Sequence, residues 1–278
     1  MQWSPEAETE IRKVPFFVRK KVRQRVETEA REKGRPSVSL ADVHATRNRF
    51  LKTMDEQIKG YQLETCFGAG GCPNRCVPED SLVTRLEALF NREDLLTFLR
   101  SHVTTPLKFH HEFRVSVSFC PNACSQPQIR DIGIIGAQVP RVGPAECLNC
   151  FACTEACREH AIVLDPNGSG PTIDCSACLF CGACVRACPS RTIEPGPCGY
   201  RVLLGGRLGR HPRLARELSG LYSEDQVITL VSECLVYYKR ESRGGQRFSA
   251  LLDDTAFARF NTLIPEDERI WQGEVGRG

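Results

Sequence analysis

Two cysteine runs of identical spacing constrain this chain more than any other feature. Cys147, Cys150, Cys153 and Cys157 read C-x2-C-x2-C-x3-C, and Cys178, Cys181, Cys184 and Cys188 repeat it, with Pro189 after the last. The same offset of 31 residues superposes Leu148 on Leu179, Ala152 on Ala183, Ala156 on Ala187 and Ile162 on Ile193. The segment is therefore an internal duplication. Such short spacings put three thiolates of each run on one corner-turning loop, a donor set for an iron–sulfur cluster. C-x2-C pairs also bind zinc, but eight cysteines in matched duplicate weigh against it. Asp165-Pro166-Asn167-Gly168-Ser169-Gly170 reads as the turn joining the halves, and Cys175 as an extra, non-ligating thiol.

A second set lies upstream. Cys66 and Cys72 give C-x5-C; after a spacer of 47 residues, Cys120-Pro121-Asn122-Ala123-Cys124 gives C-x3-C. Two loops would deliver four thiolates, one for each iron of a cubane cluster. The glycines between Cys66 and Cys72 allow close backbone approach, and Pro-Asn marks a tight turn after the apolar run that ends at Phe119. Cys76 could replace Cys72, giving C-x9-C. Cys198 and Cys234 have no partner spacing and read as plain apolar thiols. Sixteen cysteines without a basic-then-apolar leader point to metal in a reducing, cytoplasmic setting rather than to disulfides.

The duplicated run resembles the bacterial two-cluster ferredoxins. That resemblance implies crossed ligation: Cys147, Cys150, Cys153 and Cys188 around one 4Fe–4S cluster, and Cys157, Cys178, Cys181 and Cys184 around the other. Arg158 departs from the proline that follows the second run. The upstream set, with Cys-Pro-Asn-x-Cys as its second half, resembles the sirohaem–4Fe–4S site of sulfite and nitrite reductases. It implies a third cluster on Cys66, Cys72, Cys120 and Cys124, favours Cys72 over Cys76, and makes Cys124 the bridge to the sirohaem iron. The phrase Asp131-Ile132-Gly133-Ile134-Ile135-Gly136 is typical of the same family. So is the closing phrase Gly205-Gly206-Arg207-Leu208-Gly209-Arg210, whose loop amides and arginines suit sirohaem carboxylates or a substrate anion. Asn122, Gly205 and Gly206 join Cys124 as cofactor-binding candidates.

The first 60 residues hold 14 Lys/Arg and 9 Asp/Glu, which leaves the remainder slightly acidic. A solvated basic face on a small helical domain would account for this. Ser4-Pro5-Glu6 opens a helix, Pro15 interrupts it, and Val18, Val22 and Val26 form one stripe of a second helix ended by Gly34 and Pro36. Ser39 opens a third. Trp3-Ser4-Pro5-Glu6-Ala7, Val14-Pro15-Phe16-Phe17-Val18-Arg19 and Val26-Glu27 with Ala30-Arg31 and Gly34 resemble a small domain at the C-terminus of light-independent protochlorophyllide reductase subunits. By that resemblance the segment would lie near a tetrapyrrole, as a cap on sirohaem or on an adjoining subunit. The nitrogenase-like body of that enzyme is absent here.

Between these landmarks, Leu82, Leu86, Leu89 and Phe90 form a helical stripe, and a second helix is expected from Arg92 to Ser101. Phe109 to Ser118 alternates as a half-buried strand, with Phe113, Val115 and Val117 opposite Arg114, Ser116 and Ser118. Ile129 to Gly136 reads as another strand, and helices are expected around Asp225 to Arg240 and Ser249 to Phe260. Reducing sulfite or nitrite needs cations to hold the anion and donors to supply protons. The candidates are Arg114 first, then His110 and His111, with Arg75, Lys108, Arg130, Arg207 and Arg210.

The expected fold class is α+β: a sirohaem-type sulfite reductase half-domain (59–143 and 199–265), an inserted dicluster ferredoxin (144–198) and an N-terminal helical domain (1–58). The expected function is six-electron reduction of sulfite to sulfide, or of nitrite to ammonia, with electrons arriving through the ferredoxin clusters from an external donor protein. A non-catalytic electron-transfer subunit is the alternative, and a tetrapyrrole reductase a third. Full-length members of the family carry two related halves, so this single half is expected to assemble as a homo-oligomer. The net charge of +3 offers no argument for nucleic acid, and no run is apolar enough for a membrane span.

Overall fold

The computed structural model describes residues 1–78, 81–165 and 170–272, without the side chains of 52–54 and 69. The chain divides into two compact units, 1–58 with 103–110, and 59–102 with 111–278. The first unit thus takes in 103–110 as well as 1–58.

In the helical unit, β1 (Gln2–Trp3) pairs in parallel with β2 (Ser37–Val38), beside α1 (Pro5–Arg12), α2 (Phe16–Glu32) and α3 (Leu40–Gln57). Ser4 caps α1 by accepting the Ala7 N–H, and Ser39 and Asp42 form a reciprocal capping box on α3. Pro15 separates α1 from α2, and Gly34 (φ 68°) turns the chain after α2. Ala7, Val26, Ala30, Val38 and Val43 make the core. The valine stripe buries only its far end: Val26 is 1% exposed, whereas Val18 is 37% exposed.

The larger unit is built on a mixed five-stranded sheet. In chain order its strands are β3 (Tyr61–Thr65), β4 (Phe113–Ser118), β5 (Ile132–Val142), β8 (Ile193–Leu204) and β9 (Arg216–Glu217), and they lie side by side in that order. β3, β4 and β5 are parallel, and β8 runs antiparallel to β5 from Ile132↔Leu204 to Val142↔Ile193. A two-stranded ribbon, β6 (Ile162–Asp165) and β7 (Gly170–Ile173), lies between them in sequence. The expected turn between the cysteine runs falls at 166–169, outside the described residues.

One sheet face carries Val115, Val117, Ile132, Ile134, Val202 and Leu204 into the main core. That core is completed by α4 (Leu82–Glu93), α5 (Leu95–His102) and α8 (Glu224–Glu241), with the short helices α9 (Phe248–Leu251) and α10 (Asp254–Asn261). Two expected helices are divided differently. Asp94, at φ 42°, ends α4 and starts α5 at Leu95 rather than Arg92. Asp253 accepts the Ala256 N–H and caps a separate α10, splitting the segment 249–260. The expected strand from Phe109 begins only at Phe113, because Phe109–His111 forms a 3-10 turn.

Candidate functional site: three cysteine sets and an arginine-rich sheet face

The second sheet face is polar. Arg114, Ser116 and Ser118 point away from Val115 and Val117, and across the pairing Ser116 faces Gly133, and Ile135 faces Arg201. Ser116 and Ser118 were expected on a half-buried strand, yet both are fully buried. The reason is the loop 120–130, which folds back over them. The Ser116 hydroxyl donates to the Ser125 carbonyl at 2.8 Å, the Ser118 and Ser125 hydroxyls are 2.7 Å apart, and Ser125 Oγ donates to the Val117 carbonyl at 2.9 Å. A Cβ on Gly133 would stand 2.4 Å from the Pro127 carbonyl oxygen, so the loop can lie this close only over glycine. Ala123 and Gln126 take left-handed φ angles of 50° and 57° in the same loop.

This loop presents Cys120, Asn122 and Cys124. Cys120 is buried, Cys124 and Asn122 are exposed, and the neighbours that raise the Cys120 thiol after burial itself are Cys66, Cys124 and Cys72. The four upstream cysteines therefore gather at one place. Cys66 ends the run from β3; its sulfur accepts the N–H of Gly68 at 3.3 Å and of Phe119 at 3.4 Å, as backbone amides do around cluster thiolates. Cys76 is buried beside Cys120: its sulfur reaches the carbonyls of Asn74 and Cys181, and burial, then Cys120 and Cys181, push its thiol up to about 12.

The downstream runs repeat in backbone as well as sequence. α6 (Ala152–Ala156) and α7 (Ala183–Ala187) stand at matching places, and left-handed φ angles recur at Asn149 and Phe180, Phe151 and Gly182, and His160 and Arg191. Each pair keeps the sequence offset. The cysteine neighbours of each set come from both runs. Burial raises the Cys153 thiol, with Cys147 and Cys188 as its cysteine neighbours; burial takes the Cys178 thiol to about 12, with Cys184, Cys181 and Cys157 beside it. Amide N–H groups again point at sulfur, Ala161 to Cys157 at 3.3 Å, Phe180 to Cys178 at 3.4 Å and Ile193 to Cys188 at 3.4 Å. A cavity of about 320 Å³ has Cys157, Cys178, Cys181 and Cys184 on its walls, together with Cys120 and Asn122. Among the described residues no three His, Cys, Asp or Glu side chains converge on a single-ion position, so each set is a group of neighbours rather than ligands closed on one point. Cys150 and Cys175 are exposed, and Cys234 is buried in the main core.

Arginines collect at the far end of the loop. Arg114 donates its backbone N–H to Asp131, and burial, then Arg247 and Arg130, lower its guanidinium from the usual range. Arg130 pairs with Glu64, and Arg247 pairs with the fully buried Asp131 at 3.0 Å. Gly206 packs against the backbone of Gln128 and Arg130, and Gly205 (φ 81°) donates its N–H to the Asp131 carbonyl. Arg207 and Arg213 pair by backbone in the loop that follows, and Arg213 also donates to the carbonyls of Gly205 and Ser249. Among the described residues, Arg130 Nε, Arg247 Nε and Ser249 Oγ are buried without a hydrogen-bond partner. Donors left like this beside mutually repelling cations suit an anionic ligand.

The fold thus brings together Arg114, Arg130, Gly205 and Gly206, whereas the Arg207 side chain turns to the His211 carbonyl at 2.9 Å. Arg210 stands exposed beside Gly209, further along the same loop. His111 leads into β4, whereas His110 and Lys108 belong to the helical unit. Arg75 stacks over Phe119 at 4.5 Å and donates to the Gly68, Val77 and Pro78 carbonyls, bracing the upstream cysteine loop. Sequence reasoning missed Arg213, Arg247, Ser249 and Glu64, none of which sits in a motif.

An iron–sulfur redox domain is the class that this sheet and its cysteine loops define. Residues 60–270 match the nitrite and sulphite reductase 4Fe-4S domain, and the chain belongs to that family. Residues 3–47 match a second model, the proto-chlorophyllide reductase 57 kD subunit. The chain is 32% identical over 203 residues to the coenzyme F420-dependent sulfite reductase of Methanocaldococcus jannaschii, covering 72% of this chain and 30% of that protein. It is 29% identical over 214 residues to one of the anaerobic sulfite reductase subunits of Salmonella typhimurium, covering 74% and 58%. The crystal structure of dissimilatory sulfite reductase I shares the fold, with a TM-score of 0.51 and 14% identity over 87% of this chain and 61% of that one. The chain spans less than two thirds of these relatives.

Proposed function

We propose that this chain is a sirohaem- and iron–sulfur-dependent reductase of a small oxyanion, sulfite to sulfide in the first place and nitrite to ammonia as the same kind of six-electron reaction. The observation that carries the reading is the loop 120–130, which ties a four-cysteine set at one end to an arginine-rich polar face at the other. In this reading Cys66, Cys72, Cys120 and Cys124 hold one 4Fe–4S cluster, Cys147, Cys150, Cys153 and Cys188 a second, and Cys157, Cys178, Cys181 and Cys184 a third. The segment 144–198 is then a ferredoxin inserted after β5, its last six residues already forming the start of β8, and 1–58 a cap.

The residues present fit the groups. Each set supplies four sulfurs with amide N–H groups aimed at them, and the partnerless Arg130, Arg247 and Ser249 donors suit the carboxylates of a sirohaem. Sirohaem bound to Cys124 would supply the iron on which the oxyanion is reduced. Arg114, Arg130 and Arg207 would hold anionic groups, and Arg247, kept in place by Asp131, would balance their charge. Proton delivery would fall to guanidinium-ordered water and to His111.

The chain's coverage of only 58% and 30% of its sulfite reductase relatives favours a second reading, an electron-transfer subunit serving a larger partner. Either way an external donor protein is required, and a homo-oligomer or another subunit would complete the substrate pocket. Among the described residues no helix is long and apolar enough to cross a membrane.

The test is an absorption spectrum of anaerobically purified protein with pigment extraction and an iron count. Sirohaem bands that shift on adding sulfite are expected. Clusters without any tetrapyrrole, after expression in a host that makes sirohaem, would overturn the reductase and leave the relay.

A further inference from the structure

Cys76 lies where two cysteine sets meet. Its backbone N–H donates to the Phe119 carbonyl at 2.9 Å, and Phe119 is bonded to Cys120 while its own N–H points at the Cys66 sulfur. On the other side, the single S–H of Cys76 is shared between the Cys181 carbonyl at 3.4 Å and the Asn74 carbonyl at 3.5 Å, and the Cys181 oxygen also accepts from Arg186 at 3.2 Å. The strand β5 holds the second run in register here, since Gln138 bridges to Cys181 and donates its N–H to the Phe180 carbonyl at 2.7 Å. The cavity described above has Cys120 on one wall and Cys157, Cys178, Cys181 and Cys184 on the others; Cys147, Cys150, Cys153 and Cys188 take no part in it.

We infer that the two ferredoxin sets are not equivalent: the set Cys157, Cys178, Cys181 and Cys184 is the one wired to Cys66, Cys72, Cys120 and Cys124, and Cys76 is the positioning residue of that link. The inference rests on the cluster assignment proposed above. Two hydrogen bonds and one peptide bond join Cys181 to Cys120 through Cys76; Cys76, Phe119 and Cys120 are buried and Cys181 is half-buried. The set containing Cys150, whose thiol is exposed, is then the outer one and faces the donor. The step passes one electron from the Cys181 set, which is oxidised, to the Cys66 set, which is reduced. The external one-electron donor is the reductant, no bond forms or breaks, and Cys76 keeps its proton.

Two measurements on the full chain test this. In fully reduced protein, the paramagnetic resonance signal of the Cys66 set should be broadened by a reduced neighbour. Cys150→Ser is expected to keep that broadening and Cys181→Ser to lose it; the opposite pattern overturns the wiring order. In stopped flow with a reduced viologen, Cys76→Ala is expected to slow reduction of the Cys66 set severalfold at unchanged iron and acid-labile sulfide. Cys76→Ser, which keeps an O–H donor, should recover the rate. An unchanged rate in Cys76→Ala removes Cys76 from the link. Should Cys76→Ala lose iron, the resonance comparison and Cys76→Ser still decide. Unmodified protein without iron on the Cys66 set would instead defeat the cluster assignment itself, a result read from the iron count before any variant is made.

Discussion

The Ser125 and Ser118 hydroxyls lie 2.7 Å apart, and through that contact the loop carrying Cys120 and Cys124 is fastened to the strand that delivers it. Ser125 also accepts the Ser116 hydroxyl on its carbonyl, so two buried strand serines depend on one loop residue. Ser125→Ala leaves the Ser118 hydroxyl buried with one partner fewer. The expected loss is about 1–3 kcal/mol, read as a lower denaturant midpoint, with a drop in iron content as the Cys120 loop loosens.

Gly133→Ala tests the same loop from the sheet side. The added methyl meets the Pro127 carbonyl oxygen at 2.4 Å, and backbone cannot yield as a side chain would. Overpacking of about 1–3 kcal/mol is expected. If the proposed sirohaem is bound here, the purified variant should carry less of it by pigment extraction, with the iron assigned to the downstream sets unchanged.

Arg201 and Glu217 form a two-point ion pair at 2.6 and 2.7 Å across β8 and β9, with the arginine side chain 8% exposed. Arg201→Ala strands Glu217 beside the sheet. A loss of about 1–3 kcal/mol is expected, because the half-buried Glu217 at the sheet edge loses two charge-assisted hydrogen bonds. Chemical denaturation measures it directly.

Removing one cluster ligand should be local. On the proposed cluster assignment, Cys184→Ser is expected to lower iron and acid-labile sulfide by about one third, since one of three 4Fe–4S clusters would be lost. A fall to near zero would mean that the sets do not form independently.

In the helical unit, burial works to raise the Asp42 carboxyl, but hydrogen bonds from Ser39 and the Arg35 guanidinium outweigh it and hold it below its usual range. A depressed folded value means that the contribution is present above the unfolded value of about 3.9 and is lost as pH falls through the folded one. Asp42→Ala should cost about 1 kcal/mol near neutrality, as cap losses do. That difference should shrink in acid, followed by helical circular dichroism during unfolding at each pH.

The cysteine chemistry was legible in the chain because it is local. Three sulfurs of each downstream set come from one short loop, and the duplication survives into the backbone as paired left-handed residues. Helix starts at Ser4 and Ser39 were legible for the same reason, since a cap and the N–H it accepts lie within one turn. The break at Asp94 was not, because only a left-handed φ at a residue other than glycine separates two helices of continuous apolar pattern. The buried serines of β4 read as a solvent face until the loop 120–130 covered them. Arg247 and Asp131 are 116 residues apart, Arg213 and Ser249 36, and nothing in their spacing announces a contact. Cys76 shows the division most plainly: as one more thiol near a motif it was a possible ligand, and only the packing of Cys181 against it made it a link. Short-range geometry follows from residue order, whereas a charge cluster or a path between sulfurs depends on which strands lie side by side, and that is decided by burial of the whole sheet.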